Sequence, residues 1–330
     1  MNKLTKIGAT ALAGALVSFS AHAAEWNVTG SASFTLNGYA EGERASTWSQ
    51  GDSVKITASG TTENGINVSS MVEIDDAGGQ AGAFDDKYVS FGTDALGTVT
   101  FWGSGGSGAM GQFDDITPAA YEEVWDIGIQ GGGTGNNVDA ADSRINGADS
   151  TSLFVYASPV VSGVQLIAGM NTTAAAANDM YNDIGVKFSP EMVEGLTLYY
   201  AQGTTTAATV DTDESTIGVT YAYGPITVGY QESEADQANS TDDDEIEQYS
   251  IAYTVSDNLT VSYGHREYNH NTGDATSDEA LTQEDTGFGV SYTMGGLSLG
   301  ASMNEHENNA GRTETSADFD SYEVTVSFAF

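Results

Sequence analysis

Cysteine is absent from the 330 residues, which removes disulfides, thiolate nucleophiles and thiolate metal ligands together. Basic residues are nearly as scarce: nine Lys and Arg stand against 47 Asp and Glu, a formal charge of −38. That sign repels a nucleic-acid backbone, so nucleic acid is excluded as a partner, and it attracts cations. No long apolar run follows residue 24, whereas a membrane-crossing helix needs about 20 consecutive apolar residues. After His22 the only histidines are His265, His270 and His306, which read as solvated groups at loop edges. His265 and His270 are five apart, so on a strand they face opposite sides and cannot share a metal or a base role. The run Gly131-Gly132-Gly133-Thr134-Gly135 lacks the Gly-Lys-Ser/Thr ending of a phosphate loop. No catalytic residue is assigned, and an enzyme is not expected.

What is present points to strands. Glycine contributes 40 of the 330 residues, about 12% against a usual ~7%, and with abundant Thr, Ser and Tyr this suits strands and turns. Residues 1–23 read as a secretory signal peptide. Lys3 and Lys6 open it, Ile7 to Phe19 is apolar but too short to span, and Ala21-His22-Ala23 is a small-x-small cleavage signal. Residues 24–330 are expected to form a single exported domain.

The first stretch after that signal sets the class. Trp26, Val28, Gly30, Ala32, Phe34 and Leu36 alternate with Asn27, Thr29, Ser31, Ser33, Thr35 and Asn37, giving one apolar or small face and one polar face. Sixteen segments carry such a pattern: 26–39, 52–62, 66–75, 86–93, 98–103, 150–158, 164–170, 180–188, 196–203, 214–223, 226–231, 245–255, 259–264, 284–294, 297–303 and 320–330. Fourteen or eighteen strands stay open on the pattern alone. Short turns such as Glu63-Asn64-Gly65 and Gly295-Gly296 alternate with long polar segments, of which 104–149 is the longest. All four prolines (Pro118, Pro159, Pro190, Pro225) fall in turns or loops. Short turns on one rim and long loops on the other is the plan of an outer-membrane barrel. In lipid every backbone group must be bonded internally, so the sheet must close. The expected fold is all-β, a closed antiparallel transmembrane barrel. A secreted β-sandwich also alternates, but its outward face would be charged, whereas the polar face here is mostly Ser, Thr, Asn and Gly.

Tyr88-Val89-Ser90-Phe91-Gly92 followed by Leu96-Gly97-Thr98-Val99-Thr100-Phe101-Trp102-Gly103 resembles the fourth and fifth strands of the general porin family of Gram-negative outer membranes. Tyr156-Ala157-Ser158-Pro159 is similar to that family's turn after its long third loop. Phe330 is like the C-terminal aromatic that members present to the barrel-assembly machinery. The resemblance covers the whole chain after the signal. It implies a sixteen-stranded barrel, usually a homotrimer, set in outer-membrane lipid and lipopolysaccharide. It also implies a third loop folded inward to narrow a water-filled pore for passive diffusion of small hydrophilic solutes. Two departures stand out. Ser104 follows Gly103 where many members carry arginine, and seven basic residues after residue 23 are too few for the family's basic cluster opposite the third loop.

The segment 104–149 is the candidate constriction, with Asp114, Asp115, Glu122, Glu123 and Asp126 either facing the lumen or pointing outward and pairing locally. Parity places Lys55 and Lys187 on the lumen face, and Arg144 lies where it could reach inward. A ring of acids in a narrow passage favours cations, so a cation-selective channel is expected. A substrate-specific channel and a non-conducting surface or adhesin barrel are the alternatives. No resident cofactor is expected. The run Asp242-Asp243-Asp244-Glu245 lacks the spacing of a calcium hand loop and reads as a solvated loop or as a weak site for a divalent ion such as Ca2+. Small residues on the apolar faces of the first strands (Gly30, Ala32, Ala58, Gly60) place the expected trimer contact there, while Tyr221, Tyr253, Phe288 and Tyr292 suit lipid.

Overall fold

Sixteen antiparallel strands follow one another around a closed barrel in the computed structural model. It describes residues 25–39, 46–75, 84–126, 144–147, 151–171, 180–206, 211–238, 243–270, 282–309 and 318–330. The signal segment 1–23 lies outside the described residues. The strands are β1 (Glu25–Tyr39), β2 (Thr47–Thr61), β3 (Asn67–Asp75), β4 (Lys87–Thr93), β5 (Gly97–Ser104), β6 (Leu153–Ala157), β7 (Val164–Asn171) and β8 (Met180–Phe188). They continue as β9 (Leu196–Thr206), β10 (Thr212–Tyr223), β11 (Ile226–Gln237), β12 (Asp243–Ser256), β13 (Leu259–His270), β14 (Thr282–Met294), β15 (Leu297–Glu307) and β16 (Phe319–Ala329). Every strand pairs with its sequence neighbours, and β1 closes on β16 with Ser31 opposite Ala329 and Tyr39 opposite Ser321. No edge is left to pair with another chain. All sixteen expected strands are present, which settles the count.

The local causes are simple. Short turns reverse the chain at glycines in the left-handed region, such as Gly65 (φ 78°) and Gly97 (φ 81°), which a side chain would strain. Along most strands the apolar set faces out: Phe91 is 52% and Ile184 50% exposed on the barrel exterior. An aqueous exterior would leave that apolar belt unburied, and lipid covers it. No described helix is long and apolar enough to cross a membrane.

Several strands run farther toward the long-loop rim than their alternation shows: β11 reaches Gln237, β13 His270 and β15 Glu307. There the outward positions change from apolar to acidic. Glu232 stands opposite Glu247, Glu247 opposite Glu267, Glu267 opposite Glu284 and Glu284 opposite Glu307. The backbone ladder continues above the lipid belt, but the apolar-polar contrast that marks a strand stops at its edge.

Candidate pore constriction

The first limb of the long third loop lies against the inner wall, across β7 to β16. It begins with a single helical turn, α1 (Ala109–Gln112), whose Met110 N–H donates to the Asp183 carboxylate at 3.0 Å. Ala109, Met110 and Phe113 are buried with Leu153, Val155, Ile167 and Ala201, so this part of the inner face is apolar because the loop covers it. Farther on, Gln231 donates to the Phe113 carbonyl at 2.6 Å and accepts from Ile116 N–H at 3.0 Å. Ser250 donates to the Pro118 carbonyl at 2.7 Å, and Ser262 accepts from Ala120 N–H at 2.9 Å. The Tyr121 hydroxyl donates to Glu323 on the last strand.

A row of lumen-facing glycines makes room for this seat, which accounts for part of the glycine excess. A Cβ at Gly185 would stand 2.8 Å from Ala109, at Gly218 2.5 Å from Ile116, at Gly229 2.5 Å from Pro118, at Gly264 2.8 Å from Val124 and at Gly300 2.2 Å from Tyr121. The Pro118 ring cannot fold away, so Gly229→Ala should displace the loop and change single-channel conductance while the barrel still folds. Parental conductance and selectivity in Gly229→Ala would contradict this seating.

The five candidate acids all lie on this limb and all are half-buried. Asp114 Oδ2 is 3.6 Å from Arg144 Nη1, which joins the returning limb to the first. One carboxylate oxygen from each of Glu122, Glu123 and Asp126 lies within 4.8 Å of the others. Burial pushes Asp114 up to about 6, with Arg144 pulling the other way. Burial, then a hydrogen bond with Glu123, pushes Asp115 up to about 9. Burial, then the charges of Asp126 and Glu123, pushes Glu122 up to about 8. Burial and neighbouring carboxylates therefore favour the neutral form of Asp115 and Glu122, so the loop's charge grows as pH rises.

The wall formed by the first strands has a different chemistry. Thr29, Ser31, Ser33 and Thr35 on β1 face inward with Ser53, Thr57 and Ser59 on β2, and the hydroxyls pair across strands, as in Ser31 with Ser53 (3.3 Å) and Ser69 with Ser90 (2.8 Å). Its charges include Lys55, bound to Glu73 at 3.0 Å. Lys187 lies on the inner face with its ammonium 5.6 Å from the Tyr199 ring centroid.

Three readings of the sequence need correction. His306 is not a solvated loop-edge residue: it is 1% exposed on β15, with Nδ1 2.8 Å from Asp285 and Nε2 2.8 Å from Ser321 Oγ. His265 stands within β13, 3.2 Å from Glu267, rather than at a loop edge. The acidic run is not one loop cluster: Asp242 lies outside the described residues, and Asp243 to Glu245 open β12, where alternation turns Asp244 inward and its neighbours outward. Gly30 is also less open than its size implies, because the Phe330 ring lies where its Cβ would be (2.6 Å), while Phe330 N–H bonds to the Gly30 carbonyl at 2.9 Å. Residues 127–143 and 148–149 of the loop lie outside the described residues.

Sequence reasoning passed over Gln231, Tyr121, Glu323 and the glycine row. Parity did place Glu323 on the polar face, and glycines recurring there at mid-strand were the available signal for a covering segment.

Among the solved structures that share this architecture, three each cover 93% of this chain and all of their own. They are the trimer form of OmpT, an outer membrane protein of Vibrio cholerae (14% identity, TM-score 0.69), a mutant of the Rhodopseudomonas blastica porin (17%, 0.63) and an anion-selective porin from Comamonas acidovorans (13%, 0.61). Such identities establish the fold alone. No curated protein sequence matches the chain. The model of the Gram-negative porin family matches residues 8–280. With a closed sixteen-stranded barrel, an apolar exterior and a loop seated on the inner wall, the chain belongs to the Gram-negative porin family and forms an outer-membrane channel.

Proposed function

We propose that this porin prefers cations and passes small hydrophilic solutes without chemical change. The observation that carries the reading is the convergence of Glu122, Glu123 and Asp126 on the constriction loop, their carboxylate oxygens within 4.8 Å of one another. Arg144 and Lys187 offset only part of that charge, and among the described residues the wall of the first strands offers hydroxyls rather than a basic cluster. Without such a cluster, cations gain more from the acids than anions gain from any facing group. Fold alone does not decide the sign, since a barrel of the same architecture is anion-selective by its description. Ion selectivity in a planar bilayer tests the reading.

We also propose a homotrimer packed through β1 and β2. Support comes from the trimer form of the Vibrio cholerae protein and from the outward face of these strands. That face exposes Trp26 (70%) and Trp48 (60%) beside Ala32 and Ala58. Cross-linking in mild detergent should give a trimer, and a monomer alone would refute it. Residues 1–23 act as the export signal on this reading, so sequencing the protein from outer membranes should start at Ala24.

A further inference from the structure

Five basic residues fall among the described residues: Lys55, Lys87, Arg144, Lys187 and Arg266. Two of them converge on one ring at the end of the loop's first limb. Trp125 is 4% exposed, with the Arg144 guanidinium 5.1 Å and the Arg266 guanidinium 5.4 Å from its centroid. Arg266 belongs to the barrel wall and is 1% exposed. It lies 5.1 Å from the Tyr268 centroid and 3.7 Å from Asp285 Oδ2. Asp285 in turn takes Gln283 Nε2 at 2.9 Å and His306 Nδ1 at 2.8 Å. Burying a guanidinium costs several kcal/mol unless partners compensate, and here a buried carboxylate and two aromatic faces do so. The chain of contacts runs from Ser321 through His306, Asp285 and Arg266 to Trp125, and then through Arg144 to Asp114 in the constriction.

We propose that Arg266 and Trp125 are positioning residues of the pore: they hold Arg144 beside Asp114 and so set the charge a passing ion meets. The returning limb carries Arg144, and the Arg144–Trp125 contact ties it to the first limb. The inference rests on the constriction acids acting on permeating ions. Asp114 faces Arg144 from that limb, and Asp115 and Glu123 from its own.

The test follows reversal potential against pH through the range in which Asp114 titrates, in the assembled protein. Arg144→Met removes the cation that lowers the Asp114 value and should move its midpoint upward by about half a pH unit or more. Trp125→Leu should move it the same way, and Trp125→Phe, which keeps an aromatic face, should restore most of the parental midpoint. Arg266→Lys keeps the charge but loses the planar contact, so it should shift the midpoint too and stands in if Trp125→Leu fails to assemble. A role confined to barrel stability would change the heat sensitivity of gel migration without moving the midpoint. If Arg144→Met moves the midpoint while Trp125→Leu or Arg266→Lys leaves it at the parental value, the positioning role is wrong. If Arg144→Met leaves it unmoved, Asp114 is outside the ion path and the underlying reading of the constriction fails with it.

Discussion

Replacing Asp114, Asp115, Glu122, Glu123 and Asp126 together by their amides should remove most of the cation preference, whereas replacing Asp243 and Glu245, which face outward where β12 opens, should remove little. Distance from the ion path separates the two sets. Surface charges are screened over about 8 Å at physiological salt, so rim acids act weakly on an ion at the constriction. A unit charge 4 Å away is worth about 4 kcal/mol at an effective dielectric near 20, before desolvation is subtracted. Even a tenth of that shifts permeability ratios measurably. Equal effects from the two sets, read as reversal potentials, would mean that the constriction lies elsewhere.

Cation preference should also rise with pH over an unusually high range. Asp114 sits at about 6, Glu122 at about 8 and Asp115 at about 9. Each carboxyl is neutral below its value and negative above it, so the reversal potential should grow more cation-selective from about pH 5 to about pH 10. Glu122 and Asp115 have carboxylate neighbours, so the upper steps describe groups of acids rather than single residues. The same shifts carry a sign for loop seating. A carboxyl whose value is raised on folding binds its proton more tightly in the seated loop, so its contribution is complete below about 4 and is lost as pH rises through 8 to 9. Current fluctuations from a loosening loop should therefore increase at the alkaline end, and a preference that is flat above pH 5 would contradict the burial of these acids.

The wall was legible in the sequence and the loop's attachment was not, for a physical reason. A strand between lipid and lumen writes its environment into every second residue, so Trp26 to Asn37 or Tyr322 to Phe330 declare both faces. Where lipid ends, at Glu232, Glu247 and Glu267, the contrast vanishes although the ladder continues, and the strands read too short. Lumen positions are harder still, because their burial depends on a segment far away in sequence. Gln231 bonds to Phe113 and Ile116 across more than a hundred residues. His306 is buried by neighbours that no local pattern reveals. The five acids could be named from the third loop's length and composition, but not which of them hold protons, since that follows from packing against β10 to β16.

The most direct measurement is the reversal potential of the unmodified protein in a planar bilayer under a salt gradient, at pH about 7.5. Asp114, at about 6, is then largely ionised, while burial and neighbouring carboxylates hold the Asp115 and Glu122 protons more tightly. A potential whose sign reports cation preference, shrinking as total salt is raised and the acids are screened, is the predicted result. Anion preference, or no preference at low salt, would contradict the account.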